Sequence, residues 1–187
     1  LGWYSYQLEQ RPLTTKVITS GLLGGLSDII SQILGQGGFN KWLVLDMRRL
    51  YVFTAVCAFY FAPVIDLWYK FLTKIPFPKE TPELGKVLGM LTVDQTIGSF
   101  LVTGGFFYAF ELINRLIPPY TMHLHSVAEV GTVAAQRSLL PAIFASWRFW
   151  PVINFISFKF VPLPYRVLVS NVASIFWNIY MSKMANA

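Results

Sequence analysis

Apolar residues are concentrated in five segments of the chain, at roughly 13–34, 47–74, 84–117, 139–158 and 164–183. A helix rises 1.5 Å per residue, so a segment of about 22 residues reaches about 33 Å, enough to cross the hydrocarbon core of a bilayer. More polar connections separate the segments. The pattern predicts an all-α fold, a multi-span transmembrane helical bundle.

The charge-free part of each segment is short. The longest stretches without a charged residue, Leu50–Ile65, Gln95–Phe110 and Val167–Ser182, have 16 residues each, whereas an isolated lipid-facing helix needs about 20. Each stretch alone would suit a buried helix of a soluble protein. Together they leave almost no polar sequence for a soluble exterior, so we expect a membrane protein with charged residues inside its spans.

The fourth segment is the least regular. Arg148 interrupts it, and Pro151 breaks the helical hydrogen-bond ladder one turn later. The sequence is therefore compatible with five spans or with four spans and a bent helix. Before this segment, residues 121–138 would place polar side chains on one face of a helix and apolar side chains on another. This predicts an amphipathic helix lying at the membrane interface.

Three of the predicted helices carry a stripe of polar and small residues at spacings of three and four, which places the residues of a stripe on one helix face. The first stripe consists of Lys16, Ser20, Gly24, Ser27, Asp28, Ser31, Gln32 and Gly35, the third helix has Thr92, Gln95, Thr96, Ser99 and Thr103, and the last has Asn171, Ser174, Asn178 and Ser182.

The stripes have two interpretations. They converge on a hydrated path through the bundle, or they hold the helices together by hydrogen bonds worth about 1 kcal/mol or less each. Asp28 and Asp94 favour a path, because helix association does not require charge; Asp66 is different, because Lys70 lies one turn away and can pair with it. The candidate pore-lining or interhelical residues are Ser20, Asp28, Gln32, Asp94, Gln95, Ser99, Asn154, Arg166, Asn171 and Asn178.

Small residues also bear on assembly. Gly21 and Gly25 are four residues apart, and Gly85 and Gly89 repeat this spacing, which lets helix backbones approach closely in lipid. Such pairs are common in membrane helices, so packing within the chain is the simpler interpretation. The expected partners are membrane lipids, with association into a homo-oligomer or a larger membrane complex as the alternative to a monomer.

The composition agrees with a membrane domain. Hydrophobic residues make up 55% of the 187 residues and charged residues 13%, against about 25% charged in soluble domains. The net charge of +6 is scattered through the connections, so no basic face indicates nucleic-acid binding, and contact with lipid headgroups explains the cations. No linker divides the chain, and we expect residues 1–187 to form a single transmembrane domain.

Residues typical of enzymes are sparse. Cys57 is the single cysteine, so a disulfide within the chain is excluded, and His123 and His125 have no carboxylate or cysteine at metal-ligand spacing. Neither a glycine-rich phosphate loop nor an activated-serine motif is present. The sequence predicts no metal, no cofactor and no enzymatic activity.

Near the end of the chain, one set of residues keeps a characteristic spacing: Trp150, Pro151, Phe158, Val161, Pro162, Arg166, Asn171, Trp177 and Asn178. This set resembles one known family, the Mpv/PMP family of peroxisomal and mitochondrial inner-membrane proteins. Asn154 stands where the family usually has glutamine, and Arg148 is an added charge. Asp28, Gln32 and the Asp94-Gln95 pair also match the family pattern.

The resemblance implies a multi-span protein of an organelle membrane, with the mitochondrial inner membrane as the first expectation and the peroxisomal or a plastid membrane as alternatives. It implies a channel or pore that passes small solutes or ions with weak selectivity and contributes to organelle homeostasis. The alternative is a structural or accessory subunit, bound to a larger membrane complex through lipid-facing aromatics such as Phe106, Phe107, Phe149 and Phe160.

Overall fold

The computed structural model describes residues 2–35, 45–117 and 124–185, and for residues 124–126 and 179–185 the backbone alone. These residues form an all-α structure, and no strand occurs among them, so the predicted fold class is confirmed. The α-helices are α1 (Gly2–Gln10), α2 (Pro12–Gly35), α3 (Met47–Val56), α4 (Ala62–Leu72), α5 (Glu83–Val93), α6 (Ser99–Leu116), α7 (Leu124–Ser146), α8 (Trp150–Phe160) and α9 (Arg166–Ala185).

The helices group into five long helical segments, called legs below: α2, α3 with α4, α5 with α6, α7 with α8, and α9. The first and last legs are single helices, α2 and α9, and their bounds lie within about two residues of the predicted segments. A π-helical turn at Cys57–Phe61 joins α3 to α4, and a second at Asp94–Gly98 joins α5 to α6, which makes the two middle legs continuous. Three legs, Pro12–Gly35, Met47–Leu72 and Glu83–Leu116, are each long and apolar enough to cross a membrane.

The fourth leg is bent, and its sequence prediction was wrong in extent. Val127–Ser146 and Trp150–Phe160 meet at 59°, and the break lies at residues 147–149, because Pro151 occupies the first turn of α8, where its missing N–H needs no partner. The described part of the amphipathic stretch that was predicted to lie apart at the interface, residues 124–138, forms the first part of α7. It packs along α6, where Gly131 leaves room for the Tyr108 ring.

Contacts between legs establish their directions. Lys16 meets Asp66 whereas Asp28 meets Arg49, so the second leg runs antiparallel to α2. Tyr60 donates to the carbonyl of Val102 and Trp68 to Asp94, so the third leg is antiparallel to the second. The bent leg runs back along the third: Tyr108 meets Thr132, Trp147 donates to the Gln95 carbonyl, and Asn154 donates to Asp94.

The last leg, α9, runs parallel to α2. Asn171 bonds Ser20, and Asn178, seven residues later, bonds Ser27, also seven residues later. A parallel first and last leg requires an odd number of passes, so the bent pair makes one complete pass instead of re-entering on the side where it began. The 20 residues of α9 reach about 30 Å. The geometry therefore favours five passes over four.

Apolar side chains cover the outside of the bundle. Leu22, Phe59, Leu67 and Phe176 are each more than 60% exposed, which would be unfavourable over so large a surface in water but is expected against lipid tails. A cluster of buried apolar residues lies at the end of the bundle where α4 ends and α5 and α9 begin, and it consists of Tyr69, Leu72, Val87, Phe158 and Val167.

The direction of the bent leg has a testable consequence. Single cysteines at Lys79 and Lys159, in a Cys57→Ser background, are expected to react with a membrane-impermeant maleimide from the same side of reconstituted vesicles. A cysteine at Leu116 serves as the comparison and is expected to react from the opposite side. Labelling of positions 116 and 159 from one side would show that the bent pair is a re-entrant loop.

Candidate functional site

The buried face of α2 is polar. Lys16, Ser20, Ser27, Asp28 and Gln32, named here the polar track, are each less than a tenth exposed, and glycines and Ser31 fill most of the face between them. Ile33 is the one buried apolar residue of this helix. From Lys16 to Gln32 the track is about 24 Å long. The exposed positions of the same helix include Leu13, Ile18, Leu22, Leu26 and Leu34.

Asparagines of α9 close the middle of the track. The Asn171 side-chain amide donates to Ser20 Oγ at 2.7 Å, and the Asn178 amide donates to Ser27 Oγ at 2.7 Å. This pair of helices makes the most extensive helix–helix contact among the described residues. Two of the three predicted stripes, those of α2 and α9, therefore face each other directly.

An ion-pair network lies at the first end of the track. Lys16 Nζ donates to Asp66 Oδ1 at 2.5 Å, and Lys70 Nζ donates to Asp66 Oδ2 at 2.7 Å. The side chains of Lys16 and Asp66 are 4% and 6% exposed, whereas that of Lys70 is 47% exposed. The predicted pairing of Asp66 with Lys70 is confirmed, but its buried partner is Lys16 of α2.

A second network lies at the other end of the track. Arg49 Nε donates to Asp28 Oδ1 at 2.9 Å, and the Gln32 amide donates to Asp28 Oδ2 at 2.7 Å. Gln32 also accepts a hydrogen bond from the backbone N–H of Asp46, whose carboxylate caps the start of α3. The carboxylate of Asp28 is therefore balanced by a guanidinium and is fixed to the connection that enters α3.

A third network surrounds Asp94 at the π-helical turn. Trp68 Nε1 donates to Asp94 Oδ1 at 2.8 Å, and the amides of Asn154 and Gln95 donate to Oδ2 at 2.7 and 2.8 Å. Packing is close here, since a Cβ at Gly98 would lie 2.6 Å from the Trp68 ring. These four residues, Trp68, Asp94, Gln95 and Asn154, are named the Asp94 cluster.

Tyr69 connects the Asp94 cluster to α9. Its hydroxyl lies 2.6 Å from Ser170 Oγ and 3.4 Å from Asn154 Oδ1, and the residue is 3% exposed. Ser170 precedes Asn171, which bonds the polar track. Polar contacts therefore run from α2 through α9 and Tyr69 to Asp94.

Other predicted residues lie elsewhere. Ser99 Oγ donates to the carbonyl of Gln95 in its own helix, and Thr92 and Thr96 are exposed with their hydroxyls bonded in the same way. Of the third stripe, Gln95 joins the Asp94 cluster, whereas Thr92, Thr96 and Ser99 bond the backbone of their own leg. Arg166 is buried and donates to the carbonyls of Val161 and Phe158, so it closes the end of α8.

The residues that carry the family resemblance form the junction of α8 and α9. Arg166 lies over the Phe158 ring at 5.3 Å, and Val161 and Pro162 connect the two helices. The rings of Trp150 and Trp177 are 6.3 Å apart. Pro151 begins α8, and Asn171 and Asn178 face α2. The signature therefore sets where α9 begins and which face it turns to the track.

Sequence reasoning missed Trp68, Tyr69 and Ser170 as members of the polar network. A signal was present, because an indole or phenol group buried in a span needs a hydrogen-bond partner. No group of three or more His, Cys, Asp or Glu residues able to hold a metal occurs in the described ranges. His123 and the His125 side chain lie outside them.

Comparisons with known proteins agree with the resemblance. The family model described as Mpv17 / PMP22 family matches residues 125–182. The mitochondrial inner membrane protein Mpv17 of Caenorhabditis briggsae is 31% identical over 97% of this chain and 91% of its own length. Protein SYM1 of Debaryomyces hansenii is 30% identical over 98% of this chain and 87% of its own.

A plant relative broadens the range of compartments. The peroxisomal membrane protein PMP22 of Arabidopsis thaliana is 28% identical over 98% of this chain and 88% of its own length. Two of the three names describe membrane proteins, and none describes an enzymatic activity. No solved structure matches the chain.

Proposed function

This chain belongs to the Mpv17 / PMP22 family of membrane proteins, and we propose that it forms a weakly selective passage for small solutes or ions through an organelle membrane. We place it in the mitochondrial inner membrane, because a relative named for that membrane is 31% identical over nearly the whole chain. In this role the protein contributes to solute homeostasis of the organelle.

The polar track is the observation that carries the proposal. Polar and charged residues within a membrane bundle are costly and are typical of substrate or ion pathways. Here they follow α2 for about 24 Å, close to the thickness of the hydrocarbon core, with a charged network at each end. Hydrogen bonding between helices alone does not require charges at both ends.

Opening of this passage requires a conformational change. The bonds from Asn171 and Asn178 to Ser20 and Ser27 fill the middle of the track in this structure. Each interhelical hydrogen bond in a membrane is worth about 1 kcal/mol or less. Loss of these two bonds by itself costs about 2 kcal/mol or less, and separation of α9 from α2 would expose the track to water. We take the arrangement described here as the closed state of the proposed passage.

A structural or accessory role is the second candidate. The polar groups of the track have partners within the chain, including Arg49 for Asp28 and Asn171 for Ser20, and this arrangement would equally suit a rigid bundle that contacts a larger complex. Native gels on mild-detergent extracts discriminate the two roles, because an accessory subunit migrates with its complex.

Conductance of the purified protein in planar bilayers tests the passage. The double variant Asn171→Ala and Asn178→Ala loses the two hydrogen bonds between α9 and α2. The ratio of open to closed states is therefore expected to rise by up to about thirtyfold. The matched control is Ser174→Ala on the same helix, whose hydroxyl bonds its own backbone and whose loss leaves gating unchanged. Absence of conductance, or equal gating of both variants, contradicts the proposal.

A further inference from the structure

The three carboxylates that are less than a tenth exposed, Asp28, Asp66 and Asp94, differ in how their charge is balanced. Asp28 has Arg49, and Asp66 has both Lys16 and Lys70. Asp94 is 7% exposed and accepts hydrogen bonds from three neutral N–H groups, with no Lys, Arg or His within salt-bridge distance among the described residues. It is therefore the carboxylate whose charge the described chain leaves uncompensated.

The hydrogen bonds around Asp94 favour an ionised carboxylate. Oδ2 accepts from two amides and Oδ1 from an indole, and such donors stabilise the charged form. Arg166 does not neutralise it, because this guanidinium is directed to the carbonyls of Phe158 and Val161. Burial in a membrane bundle opposes an uncompensated negative charge, so this carboxylate either takes up a proton or is balanced by a cation.

Oxygen atoms for such a cation lie beside the carboxylate. Gln95 Oε1 is buried without a hydrogen-bond partner, and Asn154 Oδ1 accepts only the long contact of 3.4 Å from Tyr69. The hydroxyls of Tyr69 and Ser170 are the next neighbours. Oxygen donors without thiolate or imidazole suit hard cations such as alkali-metal ions.

We propose that the Asp94 cluster binds a monovalent alkali-metal cation between the Asp94 carboxylate and the side-chain oxygens of Gln95 and Asn154. One carboxylate balances one positive charge, which favours a monovalent over a divalent ion. The π-helical turn at Asp94–Gly98 places Asp94 and Gln95 together on the side that faces Trp68 and Asn154; turns of this kind are frequent at functional sites.

The test is the thermal unfolding midpoint of the purified protein in nanodiscs, measured in lithium, sodium or potassium chloride against N-methyl-D-glucamine chloride at equal ionic strength. A bound ion stabilises the folded state by mass action, so we expect a saturable rise of the midpoint with at least one alkali cation. Asp94→Asn is expected to abolish the rise. The matched control, Asp28→Asn, is expected to retain it, because Arg49 balances Asp28.

Two results overturn the site: equal midpoints in all four salts, or a cation response that survives in Asp94→Asn. A midpoint that changes with pH but not with the cation shows that a proton balances the charge, and this also overturns it. If Asp94→Asn does not fold, the variant Gln95→Ala is tested in its place. Loss of this one ligand should raise the half-saturating cation concentration roughly tenfold. An unchanged half-saturating concentration overturns the proposal. The unfolding midpoint does not depend on conductance, so failure of the cation site and failure of the proposed passage are distinguishable.

Discussion

Asp66→Asn is expected to destabilise the protein by about 3–5 kcal/mol, because it leaves the Lys16 ammonium buried without a counter-charge. Lys16 is 4% exposed and lies 2.5 Å from Asp66. The remaining amide can accept a hydrogen bond but cannot balance the charge. Denaturant titration of the protein in mixed micelles measures the change, and we expect it to be larger than that of any single replacement on the outside of the bundle.

Two further variants separate the buried pair from the exposed one. Lys70→Gln removes the half-exposed partner of Asp66 and is expected to cost no more than about 1 kcal/mol. The double variant Lys16→Met and Asp66→Leu removes both buried charges and is expected to recover most of the stability lost in Asp66→Asn. A double variant as unstable as the single one would show that the pair itself, instead of an unpaired charge, holds α2 to α4.

Gly24→Ala is the second replacement with a large expected effect, a loss of about 1–3 kcal/mol from overpacking. A Cβ at Gly24 would lie 2.5 Å from both Cβ and Sγ of Cys57, closer than carbon atoms approach. Because Cys57 begins the π-helical turn between α3 and α4, the methyl group must push the first two legs apart. The same titration, or the thermal midpoint in nanodiscs, measures the loss.

Gly104→Ala is the matched control, since nothing lies within 4 Å of a Cβ at that position of α6. It is expected to be neutral or slightly stabilising, because alanine favours a helix over glycine. Combining Gly24→Ala with Cys57→Gly removes the side chain that the new methyl group would meet, and this double variant is expected to regain part of the lost stability. If Gly24→Ala behaves like Gly104→Ala, the close contact of the first two legs is not required.

The interface between α2 and the second leg also bears on the glycine pair of α2, whose spacing suits either packing within the chain or self-association. Gly21 and Gly25 face Ala58 and Thr54 of the same chain, so their surface is used within the chain and is not free for self-association. Spacing alone does not distinguish these outcomes, because a glycine pair only permits close approach and does not select the neighbour.

The placement of polar residues was partly predictable. The stripes of α2 and α9 follow from spacings of three and four, and a polar face is forced inward because lipid cannot satisfy it. The third stripe divided: Gln95 bonds its neighbour Asp94 at the π-helical turn, whereas Thr92 and Thr96 stay exposed. A threonine can bond its own helix backbone and therefore tolerates lipid, which a carboxylate cannot do.

The sequence by itself determined the helical class, the membrane setting, the bounds of four legs and the family, because hydropathy and spacing are local properties of the chain. The tertiary structure alone decided which charges meet between different legs. Lys16 pairs with Asp66, 50 residues away, and the part of the chain that the structure describes offers Asp94 only neutral donors. It also decided that α9 runs parallel to α2. Such pairings depend on the directions and rotations of whole helices, and these are set by packing across the bundle that no local pattern contains.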